Sequence, residues 1–130
     1  MKRLLRMFAI GVLILPTMCR ALDVIAHDPM TLTDDEVRDA FLGEKLLSGN
    51  VKLTPVDNTS AQEEFLAKAL QTDRQKYYAR WARKVYREGL SVPPQKGTDA
   101  EVAAFVRATP GAIGYVSGKA PSGVRVLRSY

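Results

Sequence analysis

The sequence predicts an α/β sandwich of two or three layers, built as one domain. Three observations carry that expectation. Strand-like and helix-like patterns follow one another in the order β-α-β-α-α-α-β-β. Three of the helical stretches open on a Ser or Thr with Glu three residues later, the capping-box pattern. The 130 residues are 46% hydrophobic and 25% charged, which is globular composition with room for one modest domain. That balance excludes disordered, collagen-like and coiled-coil chains. A single Cys excludes a disulfide framework and a Cys-rich zinc site, and a single His excludes a multi-His metal site.

The first 21 residues read as a leader rather than as part of the domain. Lys2, Arg3 and Arg6 precede an uncharged, mostly apolar run from Met7 to Cys19, and Cys19-Arg20-Ala21 has a small-x-small pattern. This is the layout of a secretory signal peptide cleaved near Ala21, with the domain at 22–130. The apolar run is shorter than the roughly 20 residues of a membrane-spanning helix, so an uncleaved anchor is the weaker reading. Pro16-Thr17-Met18 lacks the small residue expected before a lipidated Cys. Export to the periplasm, or otherwise out of the cytoplasm, is therefore expected. Cleavage would also change the charge. The whole chain carries +5, which invites a nucleic-acid reading. Loss of Lys2, Arg3, Arg6 and Arg20 leaves 15 basic and 14 acidic residues, a net charge of +1. It removes the only Cys as well, which suits an oxidising compartment.

Leu22 to Ala26 is short and mostly apolar, and His27-Asp28-Pro29 follows, so it reads as a strand ending in a turn. Thr33 and Glu36 form the first capping box, with Leu32 and Val37 as its hydrophobic staple. Val37, Ala40 and Phe41 mark one buried helix face, and Gly43 ends the helix. Val51 to Val56 alternates and reads as one strand. Ser60 and Glu63 form the second capping box, ahead of an apolar stripe of Phe65, Leu66, Ala69 and Leu70. Asp73 to Glu88 is a third helix, with Tyr77, Trp81 and Val85 spaced by four on its inner face. Gly89 stops it, and Val92 to Gly97 is a loop. Thr98 and Glu101 form the third box, opening a helix with Val102, Phe105 and Val106 on one face. Thr109-Pro110-Gly111 ends that helix. Ala112 to Val116 is a buried strand, and Val124 to Arg128 is a last strand.

Few residues point to chemistry. His27 beside Asp28 could act as an acid or base, but no nucleophile or oxyanion site accompanies it, so a turn histidine is expected. Asp34, Asp35 and Glu36 sit in a first helical turn, where they complement the helix dipole rather than bind a metal. Helix 73–88 interleaves Arg74, Lys76, Arg80, Arg83, Lys84 and Arg87 with four aromatic residues. Stacking rings and phosphate contacts would suit nucleic acid. With a leader on the same chain, the expected arrangement is aromatics inward and basic side chains outward, and no nucleic acid is expected. Asn58-Thr59-Ser60-Ala61-Gln62 brings hydroxyls to a helix start, where backbone amides attract anions.

Several segments together resemble the periplasmic phosphate-binding proteins of ABC transporters. The run Thr98 to Ser117 contains Thr109-Pro-Gly-Ala-Ile-Gly-Tyr-Val116, similar to that family's "TPGAIGYV" strand. Phe41-Leu42-Gly43-Glu44-Lys45 is similar to its "IFLGK". Val56 to Phe65 falls where the family has its phosphate loop, and Trp81 where it often has Trp. The resemblance implies one lobe of the periplasmic-binding-protein type, since residues 22–130 have room for about one of the family's two lobes. It implies non-catalytic binding of phosphate or another small anion, with no cofactor and an ABC permease as partner. Thr59, Ser60 and the amides of Ala61 and Gln62 would make the contacts, with Asn58 beside them. The loop departs from the family's Arg-x-Asp-Gly-Ser-Gly-Thr. Val56 stands at the Arg position, Asn58 at the Asp, Thr59 and Ala61 at the glycines, and Gln62 at the Thr. Only Ser60 is kept, so binding there is expected to be weak. The alternative is an envelope interaction module that kept the fold and lost the ligand, with Arg80, Arg83 and Arg87 facing the partner. A lone lobe could also pair with a copy of itself. No catalytic or metal-binding residues are expected.

Overall fold

A computed structural model describes residues 22–130 and the isolated Gly11; the expected leader and its cleavage point lie outside the described residues. The centre of the fold is β1 (Leu22–His27), flanked antiparallel by β7 (Ala112–Ser117) and β8 (Val124–Ser129). A short β4 (Thr54–Pro55) adds parallel to β7, giving the order β4-β7-β1-β8. Successive strand side chains point to opposite faces, and the core follows that rule. Leu22, Val24, Ile113 and Tyr115 enter one cluster, while Ile25, Ala112 and Val116 enter another. The first face is covered by α1 (Asp34–Phe41), α2 (Gln62–Ala69) and α3 (Arg74–Glu88), the second by α4 (Asp99–Ala108). The expected α/β sandwich therefore has three layers, with the sheet in the middle.

Aromatic rings fill the larger core. Phe65 stacks on Tyr115 with centroids 3.9 Å apart, and Phe41 meets Phe65 edge-on at 4.8 Å. Trp81 is buried under α3 and donates its indole N–H to the Phe41 carbonyl at 2.9 Å. A Cβ at Gly43 would lie 3.0 Å from the Trp81 ring. The Phe41-Leu42-Gly43 segment is thus the seat of Trp81.

The Thr109 to Val116 segment has a packing explanation too. Gly111 has φ +83°, and a Cβ there would lie 2.1 Å from the Lys52 carbonyl oxygen. Its own carbonyl accepts from the Thr54 amide, which joins β4 to the sheet. Gly114 lies under α4, where a Cβ would come within 2.6 Å of Val102. The segments that carry the family resemblance are places where backbone and helix approach closely.

The expected strand from Val51 to Val56 is broken into pieces. β2 (Leu47–Ser48) pairs with β3 (Val51–Lys52), β4 pairs with β7, and β5 (Asp57–Asn58) pairs parallel with β6 (Gln95–Lys96). The eight residues from Val51 to Asn58 are shared among three partners. Pro55, which has no N–H to give a ladder, sits on the sheet's edge strand. β2 and β6 fall where the sequence shows no strand pattern.

The helix starts follow the capping signals unevenly. Thr33 and Glu36 form the complete reciprocal box. Asp73 caps α3 by accepting from the Lys76 amide, so that helix begins at Arg74. Thr98 accepts from the Glu101 amide, but the Glu101 carboxylate accepts from Gly97 instead of reaching back to Thr98. Val85, expected on the inner face of α3, is 40% exposed. The core beneath α3 ends at Trp81, and the helix overhangs it by about two turns.

Candidate functional site

The loop from β5 into α2 holds the residues the sequence singles out, together with polar partners it does not. Asp57 is fully buried and accepts from the hydroxyls of Tyr77 and Tyr115, both at 2.8 Å. Burial pushes its carboxyl above the usual range, and the two phenol donors oppose that shift. The same burial, with the carboxylate beside them, holds both phenols protonated far above their ordinary value.

Asn58 is saturated. Its amide donates to Asp99 Oδ1 at 2.7 Å and to the Tyr115 carbonyl at 2.9 Å. Its oxygen accepts from the Ser60 amide at 3.1 Å and from the Ser60 hydroxyl at 2.5 Å. An Asn oxygen accepting from the backbone two residues on makes an Asx turn, and this turn draws the Ser60 hydroxyl back to Asn58. The capping box expected at Ser60 therefore does not form. α2 starts one residue later, with Ala61 at its N-cap and no side-chain cap. The Thr59 amide and hydroxyl both donate to the Lys96 carbonyl, at 2.9 and 3.3 Å. The Ala61 amide donates to the Asn58 carbonyl. Gln62 is buried, donating to Tyr78 Oη at 2.7 Å and accepting from Arg74 Nε at 3.0 Å.

The residues expected to bind an anion are thus brought together, with most of their polar groups joined to one another and to the fold. Among the described residues no buried side-chain nitrogen or oxygen lacks a partner. The surroundings are acidic. Asp99 also accepts from the Ser117 amide and hydroxyl, and Glu63 and Glu64 occupy the first turn of α2. Asp57, Tyr77, Tyr115, Asp99 and Ser117 were not legible as one cluster, because they come from four elements, β5, α3, α4 and β7.

The outer face of α3 is built differently. Arg80 pairs with Glu44 and donates to the Leu42 carbonyl, and Lys84 reaches both Glu44 and Glu88. The Arg80 hydrogen bond, then Lys84, holds the Glu44 carboxyl below the usual range. Arg83 and Arg87 are exposed and make no ion pair with any described residue. Arg80, Arg83, Lys84, Arg87 and Glu88 line an open cavity of about 230 Å³. The three arginines the sequence places on one face therefore do share it. Tyr86, beside them, is 90% exposed.

His27 lies at the end of β1 with Nδ1 2.9 Å from the Val106 carbonyl oxygen, tying the sheet to α4. Among the described residues no group of three or more His, Cys, Asp or Glu side chains could hold a metal, and no helix is long and apolar enough to cross a membrane.

No protein-family model and no curated protein matches this sequence. A solved structure does resemble it: the crystal structure of an ABC-type phosphate transport receptor from Vibrio cholerae, with a TM-score of 0.54. The likeness covers 84% of this chain at 13% identity. It covers 46% of the receptor, so this chain spans less than half of that protein's length. At this identity the likeness is one of fold.

Proposed function

We propose that this chain is an exported, non-catalytic binding lobe of the periplasmic-binding-protein type whose working surface is the basic outer face of α3, where it meets an acidic partner in the cell envelope. The fold likeness to a transport receptor supports a binding role. One observation carries the choice of surface. The loop at 57–62 spends its hydroxyls on the fold, through Asn58, Ser60 and Thr59, while Arg83 and Arg87 project beside an open cavity. An anion entering the loop would have to displace internal hydrogen bonds, and each buried group left unpaired costs about 1–3 kcal/mol. It would also sit near Asp99, a like charge. At α3 no such exchange is needed.

Calorimetric titration with phosphate and sulfate tests this assignment. The expected result is no heat at millimolar ligand. A saturable heat that Ser60→Ala abolishes would overturn it.

That outcome belongs to the second reading, in which phosphate or another small anion binds weakly at the start of α2. The absence of a side-chain cap on α2 favours it, because an uncapped helix start offers free amides. The Gln62 amide would then be the free contact, with the Thr59, Ser60 and Ala61 donors released from Lys96 and Asn58 on binding, and an ABC permease the natural partner.

A further inference from the structure

We propose that the partner of the α3 face is an anionic phospholipid surface, to which the lobe docks peripherally. The proposal rests on the reading of α3 as the working surface and names what that surface meets. At 3.6 residues per turn, Lys76, Arg80, Arg83, Lys84 and Arg87 fall within a stripe roughly 100° wide. Glu44 and Glu88 offset Arg80 and Lys84. Lys76, Arg83 and Arg87 make no ion pair with a described residue, so the stripe keeps a surplus of positive charge.

Arg83 and Arg87 are one turn apart and border the same open cavity. A guanidinium fork matches the oxygens of a phosphodiester, and two forks side by side can hold one headgroup between them. Beside the stripe runs an uncharged strip, Ala79, Ala82 and Tyr86, all exposed. Tyr86 presents an apolar ring with a polar tip, the combination that settles at the level of lipid headgroups. Two alanines and a tyrosine make a narrow strip, too small for the apolar centre of a stable protein interface. A planar array of phosphates needs no such centre. Charge complementarity with one shallow aromatic anchor is what this face supplies.

Co-sedimentation of the purified protein with vesicles tests the idea. Vesicles of phosphatidylcholine with phosphatidylglycerol should bind it, and vesicles of phosphatidylcholine alone should not. Added salt should weaken the binding. A basic residue near an anionic membrane contributes about fivefold in affinity. The double variant Arg83→Gln, Arg87→Gln should therefore bind about thirtyfold more weakly, with its melting temperature unchanged. Tyr86→Ala should bind several-fold more weakly. Equal binding to both vesicle types, or equal binding by wild type and double variant, would overturn the proposal. Soluble polyglutamate separates the two levels of inference. Binding to polyglutamate through Arg83 and Arg87 without binding to vesicles sinks the lipid partner and leaves the basic-face reading standing. Binding to neither sinks both.

Discussion

The loop at 57–62 and the outer face of α3 are both rich in polar groups, and they differ in where those groups end. In the loop, Asn58 makes four hydrogen bonds and the Ser60 hydroxyl is turned back onto it. On α3, Arg83 and Arg87 project into solvent. The first arrangement stabilises the lobe, and the second is free to recognise something else. Hydroxyl-rich sequence at a helix start is therefore a poor sign of a ligand site when a neighbouring side chain can absorb the donors.

The comparison can be broken by mutation. The largest expected effect is on the inner edge of α3 itself. Trp81→Ala removes a buried ring and its hydrogen bond to Phe41, and should cost about 3–5 kcal/mol in chemical denaturation. In the loop, Asp57→Ala leaves two buried phenol hydroxyls without an acceptor, a loss of about 2–4 kcal/mol. If thermal melting shows no loss for Asp57→Ala, the loop is not the strut described above.

Asp57 also gives a signature in pH. Its carboxyl holds a proton more tightly in the fold than in the unfolded chain, where the ordinary value is 3.8. Its favourable contribution is therefore complete below that value, and is lost as pH rises through the higher folded value. Other carboxylates have their own trends, so the measurement is a difference. Stability of Asp57→Asn relative to wild type should rise as pH climbs from below 3.8, then level off. A flat difference would mean that burial does not control this group.

Smaller effects sharpen the contrast. Ser60→Ala should cost about 0.5–1.5 kcal/mol, because Asn58 still accepts from the residue 60 amide. Arg83→Gln with Arg87→Gln should leave stability within about 0.5 kcal/mol of wild type. A double variant that melts much lower would show that these arginines support the fold rather than a partner.

How much of this was legible varied with the range of the interaction. Thr33 with Glu36, and Thr98 with the third amide beyond, are contacts within one turn, and the sequence places both; the Asp73 cap is equally local, but the sequence pattern puts Asp73 inside the helix. Ser60 matched the same pattern and failed, because Asn58 competes for its hydroxyl. The strand at Val51 to Val56 failed for a similar reason. Its residues are extended as expected, but β2 claims Val51 and Lys52 while β7 claims Thr54 and Pro55. The cluster around Asp57 was invisible, since its donors lie 20 and 58 residues away. The matched segments also acquire a different meaning. Gly43 under Trp81, Gly111 against Lys52 and Gly114 under α4 are demands of packing. Likeness through these segments speaks for the shared fold more than for a shared ligand.

The sequence by itself determined the α/β class, the order of the main elements, two of the helix starts and the alignment of Arg80, Arg83 and Arg87 along one face. Those features depend on residues within a turn or two, or on strand alternation, and local sterics and hydrogen bonding dictate them. Only the tertiary structure decided that the sheet carries helices on both faces, that Asp57 is a buried acceptor, and that the polar loop is closed while the basic face is open. Each of these turns on which distant group reaches a donor or acceptor first, and chain folding brings such groups together without leaving a local pattern.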